Sequence, residues 1–140
     1  MRVNRSVRSI YGPYVCGDSI DVHGGQILAG SWRHAHPLEL WDLGTCRLLT
    51  RLPFFQPEQD ACMLYAAKFG RGHMDGCILA GGSGRKPCVK IFSQIGDLIG
   101  TLPLSSAIHS IDVFGHTEDQ FVSVCCANEL HILDMSTRSK

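Results

Sequence analysis

The sequence predicts an all-β protein made of about three copies of one four-stranded antiparallel unit. An apolar run over 26–31 is followed by a second over 37–42, and the pair returns over 77–82 and 88–93, then over 120–125 and 129–134. These runs alternate in polarity or are rich in β-branched residues, and no window carries a long 3.6-residue apolar stripe. Repetition at this spacing indicates one supersecondary motif whose copies cover each other's faces.

The first copy extends over 17–53 and shows the strand order most clearly. A short alternating strand over 19–22 ends at the turn signal Gly24-Gly25, and the two apolar runs follow it. Gly44-Thr45 then turns the chain into 46–53, which alternates and carries two arginines. A charged, alternating last strand is typical of the outer edge of a sheet.

The second copy is predicted over 62–103, and the third over 107–135 lacks its fourth strand. The innermost strands are expected over 19–22, 65–69 and 108–114. A run over 6–12 resembles an outer strand that belongs to no copy of its own. The expected core residues are Ile20, Val22, Leu28, Leu40, Trp41, Leu64, Ala66, Ile78, Ile91, Ile111, Val113, Val122 and Ile132.

Composition narrows the function classes. Lysine plus arginine and aspartate plus glutamate both number 13, so the formal net charge is zero and no chain-wide attraction to nucleic acid or an anionic membrane is expected. No apolar run reaches the roughly 20 residues of a membrane-spanning helix.

The seven cysteines are odd in number and mostly lie in apolar runs, where a free thiol acts as a small hydrophobe. We therefore expect a reducing, intracellular location, most simply the cytoplasm, with the nucleus and cytoskeletal or ciliary assemblies still open.

The first copy resembles the WD-repeat β-propeller family. Leu28-Ala29-Gly30-Ser31 is followed by Leu38-Glu39-Leu40-Trp41-Asp42, which matches the family's small residue and serine ending one strand and Trp-Asp ending the next. The second copy keeps Ala80-Gly81-Gly82-Ser83 and Val89-Lys90-Ile91-Phe92, and the third keeps Leu133-Asp134. This resemblance implies a radial array of four-stranded sheets, called blades, that holds protein partners, has no cofactor and performs no catalysis.

Three blades are fewer than the four to eight that typical propellers contain. The sequence is therefore interpreted as a fragment of a larger propeller. If the chain is complete, its uncovered sheet faces predict self-association.

Two other functions remain open. Gly17-Asp18-Ser19-Ile20 resembles the Gly-Asp-Ser block of a lipase and esterase group, in which Ser19 would need a histidine and a carboxylate as partners. The nearest late pair, Asp112 and His116, has one residue too many for that group's spacing. The other alternative is a reader of anionic ligands that uses basic loops.

No metal or phosphate site is predicted. His34 and His36 offer two ligands on an extended loop without an evident third, and no Cys-x-x-Cys motif occurs. Gly81-Gly82-Ser83-Gly84-Arg85-Lys86 has a glycine-rich character, but Pro87 and a strand follow it in place of the helix that a phosphate loop requires.

The candidate binding surface is a set of loops expected at one end of the sheets. The turns between second and third strands and the connection after the first copy should emerge together, and aromatic residues beside cations are typical of protein hot spots. We predict that an acidic peptide or protein surface docks there. The residues are Trp32, Arg33, His34, His36, Phe54, Phe55, Arg85 and Lys86.

Overall fold

The computed structural model describes residues 5–54, 62–116 and 119–135. Within them lie eleven strands and one short 3₁₀ turn at Gly72–Met74. No helix among the described residues has the length and apolar character needed to cross a bilayer. The strands are β1 (Ile20–His23), β2 (Gln26–Gly30), β3 (Leu38–Asp42), β4 (Leu48–Leu52), β5 (Met63–Phe69), β6 (Cys77–Ser83), β7 (Cys88–Ser93), β8 (Leu98–Pro103), β9 (Ile108–His116), β10 (Asp119–Cys126) and β11 (Glu129–Asp134).

The strands form three antiparallel sheets, each in simple chain order. Sheet 1 contains β1–β4, sheet 2 contains β5–β8, and sheet 3 contains β9–β11. The all-β architecture of three antiparallel units is therefore confirmed. The predicted inner strands correspond to β1, β5 and β9, which are edge strands of their sheets and adjoin one another from sheet to sheet.

The sheets stack face to face through two apolar cores. We call the face of a sheet that is directed toward the next sheet in the chain its forward face, and the opposite face its backward face. In sheet 3 the backward face packs on sheet 2, and the forward face is the one directed away from sheet 2. The forward face of sheet 1 packs Leu28, Leu38 and Leu40 against residues such as Ile78 and Phe92 of sheet 2. The second core joins sheets 2 and 3 through Ala66, Leu79, Val89, Ile108, Ile111, Val122 and Val124.

The repeated Ala-Gly motif marks where neighbouring sheets approach most closely. A Cβ atom on Gly30 would lie 3.3 Å from side-chain atoms of Leu64 and Ala67 in sheet 2. A Cβ atom on Gly81 would lie 3.0 Å from Ile108 in sheet 3. Glycine at these equivalent positions therefore lets neighbouring sheets approach closely, because any side chain there would clash with the next sheet.

Asp42 stabilises the turn between β3 and β4. Its Oδ1 accepts hydrogen bonds from the backbone N–H and the hydroxyl of Thr45, at 2.6 and 2.7 Å. These bonds lower the pKa of the Asp42 carboxyl because they favour its charged form. The Trp-Asp sequence thus has a local structural role at the end of β3.

Three of the predicted core residues are exposed instead. Ile20 and Val22 are 50% and 48% exposed because they lie on the backward face of sheet 1, where no described sheet packs. Ile132 is 60% exposed because it pairs with Ser123, on the forward face of sheet 3. A position in a strand changes face with every residue, so these side chains are core residues only where another sheet covers that face.

The remaining core residues are buried or partly buried. Trp41, Ile91 and Val113 are partly buried, and of these Trp41 lies on the backward face of sheet 1. The fully buried ones are Leu28, Leu40, Leu64, Ala66, Ile78, Ile111 and Val122.

Residues 6–12 form no strand in the described structure. The segment that the sequence predicted as an outer strand has no neighbouring strand to pair with there. Instead Val7, Arg8 and Ile10 line a cavity against the backward face of sheet 1. The Arg8 guanidinium donates to the Leu43 carbonyl at 3.0 Å, which ties this segment to the sheet it crosses.

Candidate partner-binding surface

Two of the predicted binding loops lie at the same end of the stack. The loop after β2 is fixed by a hydrogen bond from the Leu64 N–H to the Ser31 carbonyl, at 3.1 Å. The turn after β6 is fixed by the Ser83 hydroxyl, which donates to the Met63 carbonyl at 3.4 Å. Because Met63 and Leu64 are the first residues of β5, both loops flank the start of that strand.

Arg33 belongs to the structure of this loop. Its guanidinium pairs with the Glu39 carboxylate and also donates to the carbonyls of His36 at 2.8 Å and Gly12 at 3.2 Å. Glu39 is only 2% exposed, and Arg51 is its second cationic partner at 3.2 Å. The expectation that Arg33 offers a free cation to a partner therefore does not fit its contacts, because the guanidinium compensates a buried charge.

The other basic groups of the surface are available. Arg85 and Lys86 are exposed in the turn after β6, and no hydrogen bond or ion pair holds either side chain within the described residues. His34 and His36 are also exposed. The backbone of His36 adopts φ 48°, a left-handed conformation that closes the loop over Arg33.

Trp32 is joined by an aromatic residue that sequence reasoning missed. Its ring lies 6.4 Å from that of Tyr14, and its backbone N–H donates to the Tyr14 carbonyl at 2.8 Å. Tyr14 is 63% exposed and Tyr11 is fully exposed. The sequence signal was present in Tyr11-Gly12-Pro13-Tyr14, which places two tyrosines around a Gly-Pro turn outside any strand.

The two phenylalanines of the predicted surface have other outcomes. Phe54 is 1% exposed, with its ring 6.1 Å from that of Phe92 and the Lys90 ammonium 5.1 Å from its centre. Phe54 therefore belongs to the core between sheets 1 and 2 and does not lie at the surface. Phe55 lies outside the described residues.

An apolar cavity of about 720 Å³ lies between residues 7–15 and the backward face of sheet 1. Ile20, Val22, Ile27 and Trp41 form its floor. The Trp41 indole Nε1 is buried and has no hydrogen-bond partner within the described part of the chain. This face is thus apolar and only partly covered.

Ser19 gives the hydrolase alternative no support. The residue is 0% exposed, and its hydroxyl donates to the Gly30 carbonyl at 2.8 Å. Its neighbour Asp18 accepts from the Lys68 ammonium and the Ser110 hydroxyl, each at 2.8 Å. The Gly-Asp-Ser motif therefore contributes to contacts among the inner strands of the three sheets.

Three possible metal donors meet on the hairpin of sheet 3. Ligand atoms of Cys126, Glu129 and His131 lie within 4.8 Å of one another. The Ser105 hydroxyl donates to the Glu129 carboxylate at 2.9 Å, and His131 lies 3.2 Å from the same oxygen. These two hydrogen bonds lower the pKa of the Glu129 carboxyl. The expected lack of a metal site stays a prediction.

Comparisons with known proteins identify the fold. No protein-family model matches the sequence, and no curated protein matches it. The structure is similar to that of the computationally designed Ika4 protein, with a TM-score of 0.60 and 15% identity over 84% of this chain. It is also similar to the β-propeller domain of Cps50 (Swd1) from Myceliophteria thermophila, with a TM-score of 0.54 and 11% identity over 93% of this chain. The fold is a partial β-propeller.

The two neighbours show the fold alone, because their sequence identities are low. The chain spans 64% of the designed protein and 41% of the Cps50 (Swd1) domain. The three sheets are therefore equivalent to consecutive blades of a propeller, and their radial arrangement explains why the inner strands adjoin.

Proposed function

We propose that this chain is a non-catalytic protein-interaction scaffold built on WD-repeat blades. The observation that carries the proposal is that two loops flank the start of β5, one with exposed Trp32 near Tyr14 and one with Arg85 and Lys86, which have no partner among the described residues. Trp, Tyr and Arg are the residue types enriched among the hot spots of protein interfaces. The WD-repeat assignment rests on the turn that Asp42 stabilises after Trp41 and on the glycines at the blade contacts.

The proposed blades are part of a larger propeller. Apolar side chains occupy the outer faces of both end sheets, among them Ile20 and Val22 on sheet 1 and Ile132 on sheet 3. A closed propeller of four or more blades buries such faces between neighbours. All seven cysteines have free thiols, which fits the reducing intracellular location that we propose.

The partner that fits the surface is an acidic peptide or an acidic protein surface. Arg85 and Lys86 supply two cations that no carboxylate of the described residues pairs with, whereas the Arg33 guanidinium already pairs with Glu39. Opposite charge at the rim steers association and sets specificity. The rings of Trp32 and Tyr14 supply apolar contact area at the same end of the stack.

The test is a selection of random-sequence peptides for binding to the full chain at low salt. Enriched peptides should carry aspartate or glutamate beside an aromatic or aliphatic residue. Binding should fall at least tenfold in the Arg85→Glu/Lys86→Glu double variant, an expected loss of about 1.4 kcal/mol or more. Arg47→Glu is the matched control, because Arg47 is an exposed cation on the opposite turn, between β3 and β4. Enrichment of peptides without acidic residues, or equal loss in the control, would contradict the proposal.

A further inference from the structure

Asp21 connects the first two sheets through two kinds of hydrogen bond. Its Oδ2 accepts the backbone N–H of Phe69 at 2.9 Å. The Arg71 guanidinium donates to both of its carboxylate oxygens, at 3.0 and 3.1 Å. The Asp21 carboxylate on the forward face of sheet 1 thus binds two groups of sheet 2. One is the backbone N–H of Phe69 at the end of β5, and the other is the cation of Arg71, two residues later.

Asp112 is the equivalent residue in sheet 3. In the strand registers Asp21 pairs with Leu28, and Asp112 pairs with Ser123, so both carboxylates lie on the forward face of an inner strand. Both follow an isoleucine and precede a valine. Each carboxylate also accepts the N–H of its own following residue, at 2.8 Å for Val22 and 2.9 Å for Val113. Asp112 therefore has the same local geometry as Asp21.

The junction between sheets 2 and 3 lacks both members of the pair. Lys68, which pairs with Leu79, occupies the position of Asp21 there. The position of Arg71, three residues further along, is occupied by Gly115 in sheet 3. At the two junctions the acid and the cation are thus present together or absent together.

Asp112 is exposed, and within the described residues its carboxylate contacts only the Val113 amide. On the same forward face Leu130 is 68% exposed and Ile132 is 60% exposed. This combination of apolar side chains with one carboxylate on the inner strand matches the face that sheet 1 presents to sheet 2.

We infer that the forward face of sheet 3 is the docking face for a further antiparallel sheet from outside these 140 residues. In that sheet a backbone N–H at the end of the inner strand donates a hydrogen bond to Asp112. An arginine or lysine two residues later forms an ion pair with the same carboxylate. The inference rests on the proposed larger propeller, and it adds the chemistry by which the next blade is recognised.

A second copy of this chain does not fit that description. Its sheet 1 has Gly24 at the position of Arg71, so it offers Asp112 no cation at that position. The N–H of Val22, equivalent to that of Phe69, already donates to Asp21. Residues 7–15 also cross the face that would have to dock. The partner sheet therefore resembles sheet 2 more than it resembles sheet 1.

Sheet 2 itself supplies the probe. The test uses an extended protein in which the full chain is followed by a second copy of residues 53–103. The added sheet should dock on sheet 3, raise the Tm and slow the alkylation of Cys125, which lies on the forward face opposite Ser110. Asp112→Ala should lower the Tm of the extended protein by about 3–6 °C, while the 140-residue chain should change by less than about 1 °C.

Two further variants make the test specific. Replacing the added copy's counterpart of Arg71 by alanine should cost as much as Asp112→Ala, and the double variant should cost little more, since the two side chains form one contact. Asp97→Ala in the original chain is the matched control, because Asp97 is exposed in the turn between β7 and β8. It should leave both proteins unchanged.

Each other outcome overturns a defined part of the inference. If the added sheet docks but Asp112→Ala has equal effects in both proteins, the Asp112 contact is wrong and the proposed propeller stands. If neither the Tm nor Cys125 alkylation changes, the docking face is wrong, while peptide binding at the loop end still tests the scaffold. If the 140-residue chain forms dimers in the ultracentrifuge that Asp112→Ala dissociates, a second copy is the occupant and the inference fails.

Discussion

Trp41 and Phe92 occupy the same position in two consecutive sheets, with different surroundings. Trp41 pairs with Ile27, and Phe92 pairs with Ile78, so both rings lie on backward faces. Phe92 is 0% exposed because the leucines of sheet 1 and Phe54 pack against it. Among the described residues only 7–15 lie over Trp41, which borders a cavity of about 720 Å³ and keeps a buried indole N–H without a partner there.

The difference shows that the neighbouring sheet, more than the repeat sequence, decides what each position contributes. An aromatic ring at this position is a core residue where a preceding sheet exists. Where none is described, the same position becomes the floor of an apolar groove. The free energy of such a repeat array is therefore a sum of single-sheet terms and junction terms.

The largest expected effect follows from this contrast. Phe92→Ala should lower the free energy of unfolding by about 3–5 kcal/mol, because it leaves a cavity in the core between sheets 1 and 2. Trp41→Ala should cost no more than about 2 kcal/mol, since its face is only partly covered. Urea unfolding of both variants measures the difference. Equal losses would show that residues 7–15 cover Trp41 as well as a sheet would.

The second prediction separates the cations of the loop end. Arg33→Ala should destabilise the chain by about 2 kcal/mol, because it leaves the buried Glu39 carboxylate with Arg51 alone. Arg85→Ala is the matched control and should stay within about 0.5 kcal/mol, since its side chain is exposed. Equal stability of the two variants, measured by urea unfolding, would contradict a structural role for Arg33.

Alternation and turn residues were enough to predict the strands of the three sheets, but they also predicted a strand over 6–12 that does not form in the described structure. The runs before Gly24-Gly25 and after Pro37 could each adopt one local structure, and they form β1 and β3 as expected. The positions of the inner strands β1, β5 and β9 were predictable for the same reason. The repeated Ala-Gly motif also had a physical meaning, since Gly30 and Gly81 lie where the next sheet leaves no room for a side chain.

The exposed core residues and the role of Arg33 could not be predicted, because both depend on contacts distant in sequence. Ile132 has the character of a core residue, and only the position of the neighbouring sheets shows that its face is uncovered. The Arg33 side chain turns back from its loop to Glu39 in the following strand, a path that residue types do not reveal. Phe54 likewise follows a strand end but enters the core between sheets 1 and 2.

A third prediction concerns the pH dependence of that core. Burial raises the pKa of the Cys62 thiol from 9.0 to about 12. The unfolded thiol ionises first as the pH rises, so Cys62 supports folding fully below about pH 9 and this contribution is lost between about pH 9 and 12. From pH 9 to 10 the loss approaches 1 kcal/mol, since one proton corresponds to about 1.4 kcal/mol per pH unit.

The measurement compares urea unfolding of the wild type and Cys62→Ala at pH 8, 9 and 10. The difference between the two proteins should shrink as the pH rises, because only the wild type loses this contribution. The exposed Cys16 should meanwhile react with iodoacetamide in the folded protein, and Cys62 should not. A constant difference across the pH range would contradict the burial of the thiol.

The smallest effect is expected on the partly covered side of sheet 1. Cys46 adopts φ 57° in the turn after β3, a left-handed conformation that costs a residue with a Cβ atom about 1–2 kcal/mol. Cys46→Gly should therefore stabilise the chain by about 0.5–1 kcal/mol after the extra entropy of unfolded glycine is subtracted. Cys126→Gly is the control and should destabilise, because Cys126 is fully buried in sheet 3. If Cys46→Gly also destabilised, the Cys46 side chain would have to contribute packing under residues 7–15, and that segment would cover sheet 1 more completely than the cavity indicates.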